Sequence, residues 1–194
     1  MSGLTLITAP AGEPILIDEM KDHLRISIDD DDKDVERMIR VSRRWCEKMQ
    51  NRAYMTQTWD LYLDAFPRVP YELSRPPLQS VTHIKWFDTD DTETTVSTDV
   101  YRTDIYSFVG RINLKDGQTW DTSTKRTLNG VVIRFIAGYG NRASVPEEIT
   151  QAIKLMVGHL WEHREETITE RFQIVHIPFG VFDLLDIDRA ITFP

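Results

Sequence analysis

The sequence predicts an α+β fold: a helical core of two N-terminal helices plus one long C-terminal helix, with an inserted β-module and a C-terminal tail. Three observations predict it. Apolar residues recur at three- and four-residue steps before residue 55, and again from Ile149 to Trp161. Between them, from about residue 56 to 140, the period falls to two and proline and glycine punctuate the chain. Helices on either side of a run of strands indicate α+β rather than a doubly wound sheet. The expected divisions are 1–55 for the arm and first helices, 56–140 for the β-module, 141–170 for the long helix and 171–194 for the tail.

Each element has its own signal. Ser2 to Pro14 carries a short apolar run, Leu4-Thr5-Leu6-Ile7, then Pro10, Gly12 and Pro14, and reads as an extended arm rather than a packed element. Asp18 suits the N-cap of a short helix to about Leu24, with Ile17, Lys21 and Leu24 on one side. A second helix runs from about Asp32 to Asn51. Val35, Met38, Ile39, Ser42, Trp45, Cys46 and Met49 form its apolar stripe, and Arg37, Arg40, Arg44 and Lys48 its opposite side.

Strands follow. In Thr58–Asp64, Trp59, Leu61 and Leu63 alternate with Asp60, Tyr62 and Asp64, the pattern of a half-buried strand. Further strands fall at Val81–Phe87, Val100–Thr103, Arg111–Leu114 and Val131–Ala137, with Asp88–Asp99 as an exposed hairpin tip. The long helix starts at a capping box, Ser144 with Glu147, has Pro146 in its first turn, and runs on to about Glu165. Pro178-Phe179-Gly180 then breaks the chain, and Val181, Phe182, Leu184 and Leu185 make a short apolar turn.

Composition narrows the function. Hydrophobic residues at 41% and charged residues at 28% are ordinary globular values. A single cysteine, Cys46, excludes an internal disulfide framework and fits a reducing compartment. No apolar run approaches the roughly 20 residues that span a bilayer, so no membrane role is expected. Met1 to Pro14 lacks the basic start and apolar centre of a signal peptide. A net charge of −8 argues against a general nucleic-acid-gripping surface, though not against a local basic face.

Four patterns resemble chemistry. His159-Leu160-Trp161-Glu162-His163 fits the inverted zinc-peptidase motif: two histidines four apart on one helical face can share a zinc ion while the glutamate acts on bound water. A catalytic site wants a third protein ligand as well, and histidines at a helix C-terminus also suit the negative end of the dipole. Gly138-Tyr139-Gly140-Asn141-Arg142-Ala143 imitates a dinucleotide fingerprint, but Pro146 places the helix start several residues too late. Asp29 to Asp32 resembles a calcium loop, yet counted from Asp30 its sixth and twelfth places hold Val35 and Val41 where glycine and glutamate belong. The arginine row on the second helix could grip phosphates or pair with an acidic face of another subunit. No G-x-S-x-G elbow is present. No cofactor, catalytic residue or resident metal is expected.

Several blocks together resemble one family. They are Glu13-Pro14 leading to His23-Leu24-Arg25, Gln57-Thr58-Trp59 with Phe66-Pro67, Arg75-Pro76-Pro77-Leu78-Gln79-Ser80-Val81 and Gly110-Arg111-Ile112. Ala137-Gly138-Tyr139-Gly140, Val145-Pro146, His159 through Glu165, and Pro178-Phe179-Gly180 complete the set. Their order and spacing resemble the head-tail connector (adaptor) proteins of tailed bacteriophages and gene transfer agents. That family commonly has asparagine where this chain has His163, so the zinc-like pattern would arise from the departure.

The resemblance implies a non-enzymatic structural protein of the virion, at the head-tail interface and assembled in the bacterial host cytoplasm. It implies a homo-oligomeric ring, expected to be twelvefold, between the portal protein and a head-completion or stopper protein, with DNA only passing through the channel. The acidic balance suits such a channel, because a basic lumen would hold phosphates. Phe182, Leu185, Ile191 and Phe193, apolar residues with no evident local core, are the expected portal anchors. Arg37, Arg40 and Arg44 are the expected inter-subunit contacts, with Asp30 and Asp32 of the acidic run opposite them. The alternatives are a zinc-dependent hydrolase using His159, Glu162 and His163, or a DNA-binding module using the arginine face.

Overall fold

Alternating side chains become strands and the three-to-four repeats become helices in a computed structural model that describes residues 2–163, 179–186 and 189–190. Among those residues are eight strands and four α-helices, the last seven strands running together between two helices before them and two after, and every strand pair is antiparallel, so the class is α+β. No helix among the described residues is long and apolar enough to cross a membrane. The chain divides into two compact units. One takes Met1–Ala11, Asn51–Gly140 and Ala190–Pro194; the other takes Gly12–Gln50 and Asn141–Arg189.

The strand unit contains β1 (Ser2–Thr8), β2 (Gln57–Leu63), β3 (Tyr71–Glu72), β4 (Leu78–Phe87), β5 (Glu93–Thr95), β6 (Tyr101–Asp104), β7 (Arg111–Leu114) and β8 (Val131–Ala137). One sheet runs in the order β1-β2-β8-β4-β5 and a second in the order β3-β7-β6. Leu61, Ile84, Ile133 and Phe135 from the first sheet and Tyr101 and Ile112 from the second fill one shared core. Phe135 and Ile84 are fully buried, and each such side chain contributes roughly 1.5–3 kcal/mol.

The arm reading is corrected here. Ser2–Thr8 is a hydrogen-bonded edge strand in register with β2, Leu4 opposite Leu61 and Leu6 opposite Trp59. Its side chains stay mostly exposed, so it presents no apolar alternation to read. The simple polar face expected for β2 is also corrected. Asp60 is buried because its cross-strand partner on β8 is Arg134, whose Nε and Nη2 donate to the two carboxylate oxygens at 2.7 Å each.

The helical unit contains α1 (Ile17–Leu24), α2 (Asp32–Gln50), α3 (Glu147–Glu162) and α4 (Phe179–Asp186). Helix α2 packs on α3, α3 packs on α4, and α1 lies against both α2 and α3. Ile149, Ala152, Ile153, Met156 and Val157 of α3 are buried, as are Val35, Ile39 and Cys46 of α2.

Both expected caps are corrected. Leu16, not Asp18, is the N-cap of α1, and Asp18 and Glu19 occupy its first turn. Ser144 belongs to a 3-10 turn, Arg142–Ser144, whose start is capped by Asn141: the Ser144 N–H and Oγ–H both donate to Asn141 Oδ1 at 3.1 Å. Ser144 therefore cannot cap α3, and Pro146 takes the N-cap position with no side-chain bond. The described helix ends at Glu162, so its 16 residues are about 24 Å long. Arg164, Glu165 and Pro178, part of the family-like blocks, lie outside the described residues.

Candidate functional site

Helix α2 sets out the arginine row as its periodicity requires. Arg37, Arg40, Arg44 and Lys48 are all exposed. Arg37 donates to Asp34 at 2.9 Å within the first turns, while Arg40 and Arg44 have no ion-pair partner among the described residues. The acidic run is partly committed within its own chain. Lys21 Nζ donates to Asp29 at 2.6 Å and to Asp32 at 2.7 Å, and those bonds push the Lys21 ammonium above its usual range and Asp29 below its own. Asp32 thus faces an internal lysine, and Asp30 is the exposed member of the expected inter-subunit pair.

One arginine escaped the sequence reading. Arg43 is buried on α2 and donates to Glu13 (2.6 and 3.2 Å) and to Glu47 (2.6 Å). It pins the segment that leads into α1 against α2, a contact across 30 residues that periodicity cannot reveal.

Helix α4 changes the status of the tail residues. Val181 and Leu185 are fully buried in the helical unit, and Gln50 Nε2 donates to the Leu185 carbonyl at 2.7 Å. Leu185 is therefore core and is not available as an anchor, a correction that follows from α4 packing on α3 and α2. Phe182 is 38% exposed, with its ring meeting Trp45 edge-on at 5.7 Å. Beside it lies a groove of about 160 Å³ lined by Met49, Phe182, Leu185, Asp183, Asp186 and Arg189. Ile191 and Phe193 lie outside the described residues.

The histidine pair sits where the motif places it, at the end of α3, with ring centroids 4.7 Å apart. His163 is the C-cap, and its Nδ1 lies 3.0 Å from the His159 carbonyl oxygen, the local geometry of a helix terminus. Burial lowers the pKa of His159, and His163 adds to the shift. Among the described residues no three His, Cys, Asp or Glu side chains converge as a metal site would require.

The glycine motif has a structural use. Gly138 has φ +116°, and a Cβ there would stand 2.2 Å from the Met55 carbonyl oxygen. The Gly138 and Tyr139 N–H groups donate to Pro77 and Tyr54, and α3 begins only at Glu147, so the motif offers no helix N-terminus for a phosphate.

The strand unit also exposes three large apolar side chains close together in sequence. At the turn between β6 and β7, Tyr106 is 94% exposed, Phe108 50% and Ile105 43%. Asp104 organises this tip: its carboxylate accepts from the Tyr106 and Ser107 N–H groups, the Ser107 hydroxyl and the Arg111 guanidinium. The Ser107 and Arg111 bonds hold the carboxyl well below the usual carboxylate range. Phe108 folds back over the guanidinium of buried Arg52 at 4.9 Å, and Tyr139 covers the same group at 5.1 Å. Nothing in the sequence marked this tip except three large apolar residues in a turn.

Comparison with known proteins follows from the fold. No curated protein matches the chain in sequence. Among solved structures, a chain in the neck of an empty gene transfer agent particle, computed with C6 symmetry, superposes with a TM-score of 0.79 at 24% identity, covering 99% of this chain and 97% of that one. A chain from the virion of a native gene transfer agent particle gives 0.79 at 24% identity, with 98% and 97% covered. A chain from the native neck computed with C12 symmetry gives 0.76 at 24% identity, with 99% and 97% covered. These likenesses are of fold. A family model described as head completion protein matches residues 14–173. The chain belongs to the head completion protein family.

Proposed function

We propose that this protein is a non-enzymatic, structural neck component of a tailed phage or phage-like particle, an adaptor that forms a ring between the portal and the head-completion or stopper protein. The observation that carries this is the pairing of family membership over residues 14–173 with end-to-end likeness of fold to a gene transfer agent neck chain. The ring is expected to be twelvefold, assembled in the host cytoplasm, with DNA passing through its channel and no membrane contact.

Within that ring, the arginine row of α2 is the proposed inter-subunit surface. Arg40 and Arg44 supply exposed positive charge to a chain of net −8, and exposed Asp30 is the carboxylate we place opposite them. The portal contact is assigned to the segment after α4, with Ile191 and Phe193 as anchors. Leu185 drops out because it is core, whereas Phe182, 38% exposed beside the groove, stays with them as a proposed anchor at α4.

Reversing charge at Arg37, Arg40 and Arg44 together tests the ring surface. The expected result is a folded monomer that no longer assembles on the portal; normal rings would refute the assignment. For the tail, the informative truncation removes residues 191–194, because a cut at 180 also removes Val181 and Leu185 from the core. Undiminished portal binding by that truncation would refute the tail contact.

A further inference from the structure

We propose that the outward face of the five-stranded sheet carries a binding site for a small oxyanion, a phosphate or carboxylate group, held by Tyr62, His83, Lys85 and Arg134. The site is independent of the neck reading above.

Strand register builds it. Asp60, Arg134 and His83 are successive partners across β2, β8 and β4, and Tyr62, Val132 and Lys85 form the adjoining row. Partners opposite one another share a face, and Leu61, Ile133 and Ile84 between these rows point into the core, so both rows lie on the other side. Strand β4 reaches this arrangement through a bulge: Thr82 is an extra residue between the partners of Phe135 and Arg134. Without the bulge Thr82, not His83, would face Arg134. Bulges re-aim side chains in this way beside functional sites. The face is recessed because Val132, short and only 7% exposed, lies between the longer Tyr62 and Lys85. The cleft measures about 210 Å³, and Phe87, with the Arg126 guanidinium over its ring at 4.0 Å, closes one side.

The unpaired groups in the cleft are donors. Arg134 commits Nε and Nη2 to Asp60, which leaves Nη1 without an acceptor among the described residues. Lys85 Nζ gives one N–H to Glu93 at 2.6 Å and keeps the others. The Tyr62 hydroxyl and the His83 ring have no hydrogen-bond partner among the described residues. Both carboxylates in the cleft, Asp60 and Glu93, are already bonded to one of these cations. Burial depresses the His83 pKa, and Lys85 and Arg134 lower it by more than Asp60 and Glu93 raise it, so the field at the ring is net positive. Unpaired donors in a positive field select a negatively charged acceptor, and an oxyanion presents several lone pairs at once.

The test is an NMR titration of the full chain at neutral pH, following the His83 ring signal, which is identified by its loss in His83→Gln. Inorganic phosphate and acetate are added separately, with chloride holding the ionic strength constant. A saturable shift is expected. Saturation by phosphate alone assigns the site to phosphate groups, and saturation by acetate assigns it to carboxylates as well. Lys85→Met is expected to weaken binding about tenfold, Lys85→Arg to keep most of it, and Glu93→Gln to tighten it by releasing Lys85. Shifts that rise linearly with both anions, or that chloride reproduces, overturn the proposal whatever the variants do. Unchanged affinity in Lys85→Met overturns it as well.

Discussion

Replacing Arg134 by methionine removes the guanidinium from a carboxylate whose side chain is only 4% exposed. The two residues are direct cross-strand partners in the central pair β2–β8, joined by two parallel bonds of 2.7 Å. Breaking a buried pair by removing one member costs about 3–5 kcal/mol. Arg134 is itself 35% exposed, so solvent reaches the gap and the figure falls to about 2–3 kcal/mol. Asp60→Leu leaves Arg134 free to turn towards water, and about 1 kcal/mol is expected. The double variant restores an apolar pair on the strands, so it should lie within about 1 kcal/mol of wild type. The two single losses sum to about 3–4 kcal/mol, so the resulting coupling energy is about 2–5 kcal/mol. Urea unfolding of all four proteins, followed by circular dichroism with an unchanged m-value, measures it. Losses that add to within about 0.5 kcal/mol would refute the reasoning, because independent sites add and a coupled pair does not.

Two further outcomes follow from local geometry. Gly138→Ala should cost more than about 3 kcal/mol or abolish folding of the strand unit, since φ is +116° and the new Cβ would meet the Met55 backbone at 2.2 Å; a melting temperature near wild type would contradict this. Cys46 is fully buried, and burial pushes its thiol up to about 12, so iodoacetamide at pH 8 should label it only after denaturation; prompt labelling of the folded chain would refute its core placement.

How legible the molecule is in its sequence depends on the range of the interaction involved. Five strands were visible, because Leu61, Ile84, Tyr101, Ile112 and the pair Ile133 and Phe135 must alternate with outward residues to share one core. Strand β1 was not, because an edge strand with exposed side chains has no inside to mark, and β3 and β5 are too short to show a period. Ser144 matched the spacing of a capping box but is captured by Asn141 three residues earlier, a choice between two local bonds that spacing cannot decide. Among candidate site residues, the arginine row was legible because exposed charge follows helical period. The burial of Leu185, the Glu13–Arg43–Glu47 cluster and the Asp104-braced tip depend on contacts between distant segments or on turn geometry, and those are written in three dimensions only.

Native mass spectrometry of the full chain mixed with its cognate portal, at low and moderate salt, tests the central claim most directly. A discrete complex holding one copy of this protein per portal subunit is the predicted result. A protein that stays apart from the portal at every salt concentration, as a monomer or small oligomer carrying one zinc ion per chain, would contradict it.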